Sequence, residues 1–133
     1  ASDAMVADFE SRMNIRLPRG VKRFYQLCDG FSMPDESMFN LIPLSEILEN
    51  TFDRKDKGDD YLASPDDFHF AEYMIYSDMW TVCIDPHSDN QYAIYNNYMT
   101  VVTLSHSLSD FLFLLIKKGL YKGIYGRMER LDP

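Results

Sequence analysis

Met5, Phe9 and Met13 recur at four-residue intervals with Val6 beside them, so a helix over about residues 3–14 carries one apolar stripe. Val21, Phe24, Tyr25 and Cys28 repeat the device after Leu17-Pro18. Proline suits the first helical turn, where its missing N–H would have no partner anyway, and Gly30 stands where glycine takes the left-handed conformation that ends a helix. The pattern predicts two short helices packed as a hairpin. Residues 31–36 read as a loop with Pro34 and Asp35 as turn formers, 38–42 as a short strand, and 43–50 as a short helix with Ile47 and Leu48 inward.

The stretch 53–67 breaks this pattern. Asp53, Asp56, Asp59, Asp60, Asp66 and Asp67 interleave with Arg54, Lys55 and Lys57, and Gly58 and Pro65 add turn formers. Such a segment buries little surface, so a solvated mobile loop is expected, with Tyr61 and Leu62 anchoring its middle. A β-rich block follows. Phe68, Phe70, Tyr73, Ile75 and Tyr76 form an aromatic run without helix caps, and Trp80, Val82 and Ile84 alternate with Thr81, Cys83 and Asp85, the mark of a strand with one buried face. Residues 86–90 form a turn, and 91–95 and 98–104 complete an antiparallel meander through Asn96-Asn97. The closing helix begins at Ser107, with Asp110 in the place of a capping-box acid. Phe111, Leu112, Leu114, Leu115 and Ile116 predict burial on most sides, Lys117 and Lys118 suit the negative end of the helix dipole, and Gly119 closes it. Residues 119–133 then read as a basic, aromatic tail, with Tyr121, Tyr125, Arg127 and Arg130.

The 133 residues suit one domain over 1–133, with a core over about 5–118, long enough to bury about two-thirds of the unfolded surface. No apolar run reaches the roughly 18 residues that span a bilayer, and the N-terminus lacks the basic-then-apolar pattern of a secretory signal, so the expected address is the cytoplasm. Charge divides unevenly. Residues 1–116 carry 8 basic and 19 acidic side chains, a net of −11, whereas 117–133 carry 5 and 2, a net of +3. An acidic body repels phosphate backbones, which argues against nucleic acid as a partner, and it draws a basic protein toward itself; with no spanning run, no membrane partner is expected either.

Candidate chemistry is sparse. Asp85, His87 and Asp89 alternate as metal ligands do, yet a calcium loop starting at Asp85 would need glycine where Asn90 stands and glutamate where Asn96 stands, so the trio reads as a hairpin turn. His69 and His106 have neither a histidine partner at helical spacing nor a cysteine at zinc spacing. Cys28 and Cys83 sit among apolar neighbours where a small buried thiol is common, and a disulfide between them would need their Cα atoms within roughly 7 Å. Glu72, Asp78 and Asp85 offer carboxylates for acid and base work, but no nucleophile elbow, phosphate loop or zinc helix accompanies them. These readings point to no cofactor, no metal and no enzyme.

The order and spacing of several short pieces resemble the SUKH superfamily, the Smi/Knr-type domain. Phe9-Glu10, Leu17-Pro18, Phe24-Tyr25 and Asp29-Gly30 are similar to its first half, and the run from Leu41 to Ile47 is similar to its strand and short helix. Ile84-Asp85, Val101-Val102 and Ser107-Leu108-Ser109-Asp110-Phe111-Leu112 resemble its later strands and closing helix, so the likeness covers about 5–118. One departure is Ser77-Asp78-Met79-Trp80, where many members carry a Gly-Asp pair before the aromatic strand. The resemblance implies an α+β fold, an antiparallel-rich curved sheet with two N-terminal helices and a C-terminal helix packed around it. It also implies protein binding in place of catalysis, since many bacterial members look like immunity proteins that neutralise a toxin by occlusion. A basic nuclease toxin would suit the acidic body. A regulatory or scaffold module of the same fold, or a small hydrolase, are the competing expectations. Tyr76, Asp78, Trp80, Asp85 and Asp89 are the expected contacts, with Asp56, Asp59 and Asp60 as a steering rim.

Overall fold

The apolar stripes become helices whose ends are fixed by caps that the periodicity does not show. The computed structural model describes residues 1–33, 38–56, 66–97 and 100–131, apart from the side chains of Lys55 and Asp56. Helix α1 (Asp3–Met13) starts where Ser2 accepts a hydrogen bond from the Met5 N–H. It stops at Asn14, whose φ of 55° turns the chain so that the Ile15 N–H reaches the Glu10 carbonyl at 3.0 Å and the Asn14 N–H reaches that of Ser11 at 3.2 Å, a Schellman closure. Helix α2 (Arg19–Leu27) follows Pro18. The Arg19 N–H donates to Asn90 Oδ1 at 3.0 Å, so a side chain 71 positions away satisfies one of the helix's open donors.

Gly30 does not end α2, contrary to expectation. That helix closes through the Cys28 N–H on the Phe24 carbonyl, with Cys28 extended. Gly30 has a φ of 84°, and a Cβ there would lie 2.3 Å from the Leu41 carbonyl oxygen, so the glycine permits close approach of two backbones. Six strands pair antiparallel in chain order among the described residues: β1 (Phe31–Ser32), β2 (Phe39–Leu41), β3 (Phe68–Tyr73), β4 (Asp78–Ile84), β5 (Tyr92–Asn96) and β6 (Val102–Ser105). Register shifts at His69/Ala71 and at Ile94/Tyr95 interrupt the ladder, and such bulges increase twist and bend strands. The fold is α+β with helices at both ends of the chain.

One sheet face and the helices form the core. Phe9 of α1 meets Phe68 edge-on at 5.5 Å, and Phe70 meets Phe111 at 5.2 Å, which pins both helical layers to β3. Helix α3 (Leu44–Asp56) begins where Asp29 Oδ1 accepts from the Leu44 N–H, and it runs one and a half turns beyond the expected end at residue 50. Residues 53–56 are therefore helical, and Asp67 is fully buried with the Tyr95 hydroxyl donating to it at 2.9 Å, so neither flank of the polar stretch is a solvated loop. Residues 57–65, including Tyr61 and Leu62, lie outside the described residues.

Helix α4 (Leu108–Gly119) is capped by Ser107, whose hydroxyl accepts from the Asp110 N–H. The Asp110 carboxylate does not complete a capping box. It turns to Arg127 at 2.6 Å and to Ser105, and Ser105 Oγ accepts the Ser107 N–H in its place. Burial of α4 is one-sided, because Phe113 and Ile116 are exposed. Gly119, at φ 80°, ends α4 without ending the fold: a π-helical turn (Leu120–Tyr125) and α5 (Gly126–Leu131) follow. Leu120 and Ile124 are fully buried, so the expected tail is part of the core.

Candidate protein-binding face

Strands β3 and β4 join through a turn of unusual backbone. Met74, Ile75 and Tyr76 have φ of 54°, 53° and 62°, one turn of left-handed helix built from residues with side chains. Steric conflict between Cβ and the carbonyl makes this conformation cost roughly 1–2 kcal/mol per residue, and a β-branched residue there is a marked outlier. The surroundings hold the turn in place. The Ser77 N–H closes it on the Tyr73 carbonyl at 3.0 Å, the Met74 N–H donates to the Met38 carbonyl at 2.9 Å, and the Tyr76 N–H donates to Glu72 Oε2 at 2.8 Å. The Tyr76 hydroxyl donates to Glu46 Oε2 at 2.7 Å and accepts from Asn50 Nδ2 at 2.9 Å, which ties the turn to α3. Asn40 donates to the other Glu72 oxygen and is itself joined to Ser32, so one polar network crosses β1, β2 and β3 and reaches the turn. Burial and the bond to Glu46 push the Tyr76 hydroxyl pKa well up, so it stays a donor.

This scaffold presents apolar side chains to water. Ile75 is 80% exposed and Met74 48%, with Met38 beside them. At the foot of the turn lies an open groove of about 420 Å³, where Asp29, Glu46 and Glu72 join Phe31, Ile75 and Tyr76 and where, among the described residues, no basic side chain contributes. Behind the turn, Tyr73, Tyr121 and Tyr125 cluster, with Tyr121 and Tyr125 stacked at 6.2 Å.

The expected contact residues do not gather in one place. Tyr76 is the last residue of the turn and Asp78 opens β4 just after it. Asp78 is partly buried, with one carboxylate oxygen accepting from the Tyr125 hydroxyl at 2.5 Å and the other from Asn96 Nδ2 at 2.7 Å and the Met79 N–H at 2.9 Å, so its geometry braces the base of the turn. Trp80 is fully buried between Phe39 and Tyr125, at 5.4 and 5.6 Å, and is a core residue that no partner can touch. Asp85 and Asp89 are exposed in the β4–β5 turn, about 20 Å away along β4 at the usual rise per residue. They border a cleft of about 740 Å³ shared with Arg16, Arg19 and Lys22, so charge there is mixed. The Asp56 backbone lies in α3, while its side chain and residues Asp59 and Asp60 lie outside the described residues. Sequence reasoning missed Met38, Met74, Ile75 and Glu46. The only available signal was that strands of ordinary length force a turn somewhere between 73 and 78 where no glycine, proline or asparagine offers one.

Other chemistry is muted. His69 Nδ1 lies 2.7 Å from Thr81 Oγ1, Nε2 is buried without a hydrogen-bond partner among the described residues, and burial, with Arg54 adding to it, lowers the imidazole pKa to about 4. Burial, then the Asp67 carboxylate, raise the Cys83 thiol pKa to about 11, which keeps it a poor nucleophile. Both cysteines are free, and no cluster of three metal-ligating side chains occurs among the described residues. No helix among them is long and apolar enough to cross a membrane.

Compared with known proteins, the sequence profile of the SMI1/KNR4 family (SUKH-1) matches residues 1–113, a stretch that ends inside α4. No curated protein matches the chain.

Proposed function

The chain belongs to the SMI1/KNR4 family (SUKH-1), which is immunity-protein-like, and from that premise we propose that it is a cytoplasmic immunity protein. It binds a protein toxin and neutralises it by covering the toxin's working surface, and it transforms no substrate itself. The observation that carries this reading is the rigid, exposed apolar turn at Met74 and Ile75, framed by carboxylates on a molecule of net charge −8. Exposed apolar side chains in a polar rim mark interaction surfaces. The charge favours a basic toxin, such as a nuclease whose cleft binds phosphate, because complementary potentials speed encounter and exclude acidic partners. Asp85 and Asp89, together with Asp56, Asp59 and Asp60, supply the long-range field, and Tyr76 and the turn supply close contact.

The test uses the toxin domain encoded beside the gene. Titration by calorimetry should give a one-to-one complex, and an equimolar amount of this protein should abolish the toxin's activity in vitro and in cells. Absence of both binding and inhibition overturns the reading, and binding without inhibition makes the chain a regulatory or scaffold module.

A further inference from the structure

Hydrogen bonds hold the left-handed turn in place, but nothing they do calls for a branched apolar side chain at its centre. Ile75 pays the largest steric penalty of the three residues because its branched Cβ crowds the carbonyl, and with 80% of its surface exposed it recovers almost none of it by burial. Glycine or asparagine would make the same turn without the strain. The brace from Glu72, Glu46 and Asn50 through Tyr76 nevertheless forces the backbone into this shape and holds Ile75 outward. A backbone already held in place loses little further freedom on binding, which favours a strong anchor.

We infer that Ile75 is a preformed anchor that enters an apolar socket on a basic protein partner, with Met74 and Met38 adapting around its rim. This rests on the toxin-binding reading and places its contact. Charge complementarity sets the occupant. Glu46 and Asp29 border the anchor and, among the described residues, no basic side chain lines the adjoining groove, so a second copy would bring like charges together and an anionic lipid surface would be repelled. Lysine or arginine around the socket would meet these carboxylates, and methionine side chains fit irregular apolar contours.

Ile75→Gly and Ile75→Val test the anchor against the toxin domain that the parent protein neutralises. Ile75→Gly removes strain and anchor together, so the melting temperature should rise by about 3 °C while affinity falls at least about tenfold. Ile75→Val keeps the branched apolar group and should hold both values near those of the parent, with affinity within about threefold. A melting temperature that falls on Ile75→Gly refutes the strain, and affinity unchanged within about twofold in that variant refutes the anchor while leaving toxin binding intact. A parent that fails to bind the toxin overturns both readings. Sedimentation of the parent alone as a dimer that Ile75→Gly dissolves replaces the basic partner with a second copy and overturns the inference.

Discussion

His69 sets a pH limit on stability. Its imidazole is buried against Thr81 with Nε2 unsatisfied, and Arg54 disfavours a second positive charge nearby, so the folded pKa is about 4 against 6.5 in an unfolded chain. A histidine with a depressed pKa is neutral in the fold, and the unfolded chain takes up the proton first as pH falls. Its contribution is therefore complete above about pH 6.5 and is lost between there and about pH 4, amounting to on the order of 3 kcal/mol. Asp110 acts in a lower window. The bond from Arg127 lowers its pKa and outweighs burial, with Ser105 adding a smaller lowering, so its contribution fades only as pH drops below the usual carboxylate range. Urea midpoints measured from pH 7.5 to 4.5 should fall steeply in the parent and much less in His69→Gln, which can still bond Thr81. Parallel curves would assign the acid sensitivity to another group.

At the level of elements, the final segment is a structural member of the fold. Gly119 breaks α4, yet the π-helical turn carries Leu120 and Ile124 back into the core and places Tyr125 against Trp80. Ile124→Ala should cost about 2–5 kcal/mol through lost burial and a residual cavity, read as a lower urea midpoint with an unchanged slope; an unchanged midpoint would mark the segment as dispensable. The sequence pointed the other way because lysines followed by glycine are the ordinary end of a helix. Gly123 has a different task, since a Cβ there would lie 2.8 Å from the Leu114 carbonyl, and such close approach leaves no periodic trace. What the chain did disclose was local and repetitive: the stripe of α1 through Val6, Phe9 and Met13, although Met5 is exposed; the Ser107 cap; and the spacing that put Trp80 on the same face as Val82, although Thr81 on the other face is buried too. That spacing was the better guide to Trp80 than the preference of tryptophan for interfaces. The length of α3 was hidden because the charged run from Asp53 to Asp56 reads like a loop, and the β3–β4 turn was hidden because left-handed geometry in Met74, Ile75 and Tyr76 runs against their propensities.

Across the whole molecule, charge and anchor occupy different places and should act on different steps of association. Residues 1–116 carry a net −11, and their field reaches past the molecular surface by about a Debye length, roughly 8 Å at physiological salt. A basic partner is therefore drawn toward the acidic body before any side chain is seated. Asp85 and Asp89 are exposed at the far end of β4, where they add to this field without sharing the contact at Ile75. Converting both to lysine moves the net charge from −8 to −4 and should lower kon several-fold while leaving koff within about twofold, because rim charges govern encounter more than the seated complex. Raising salt from 50 to 500 mM should lower kon of the parent by about tenfold, and of this variant by less. Stopped-flow mixing with the toxin domain separates the two rates. An effect of the double variant confined to koff would put Asp85 and Asp89 inside the contact, which would then have to extend along β4 from one end of the sheet to the other.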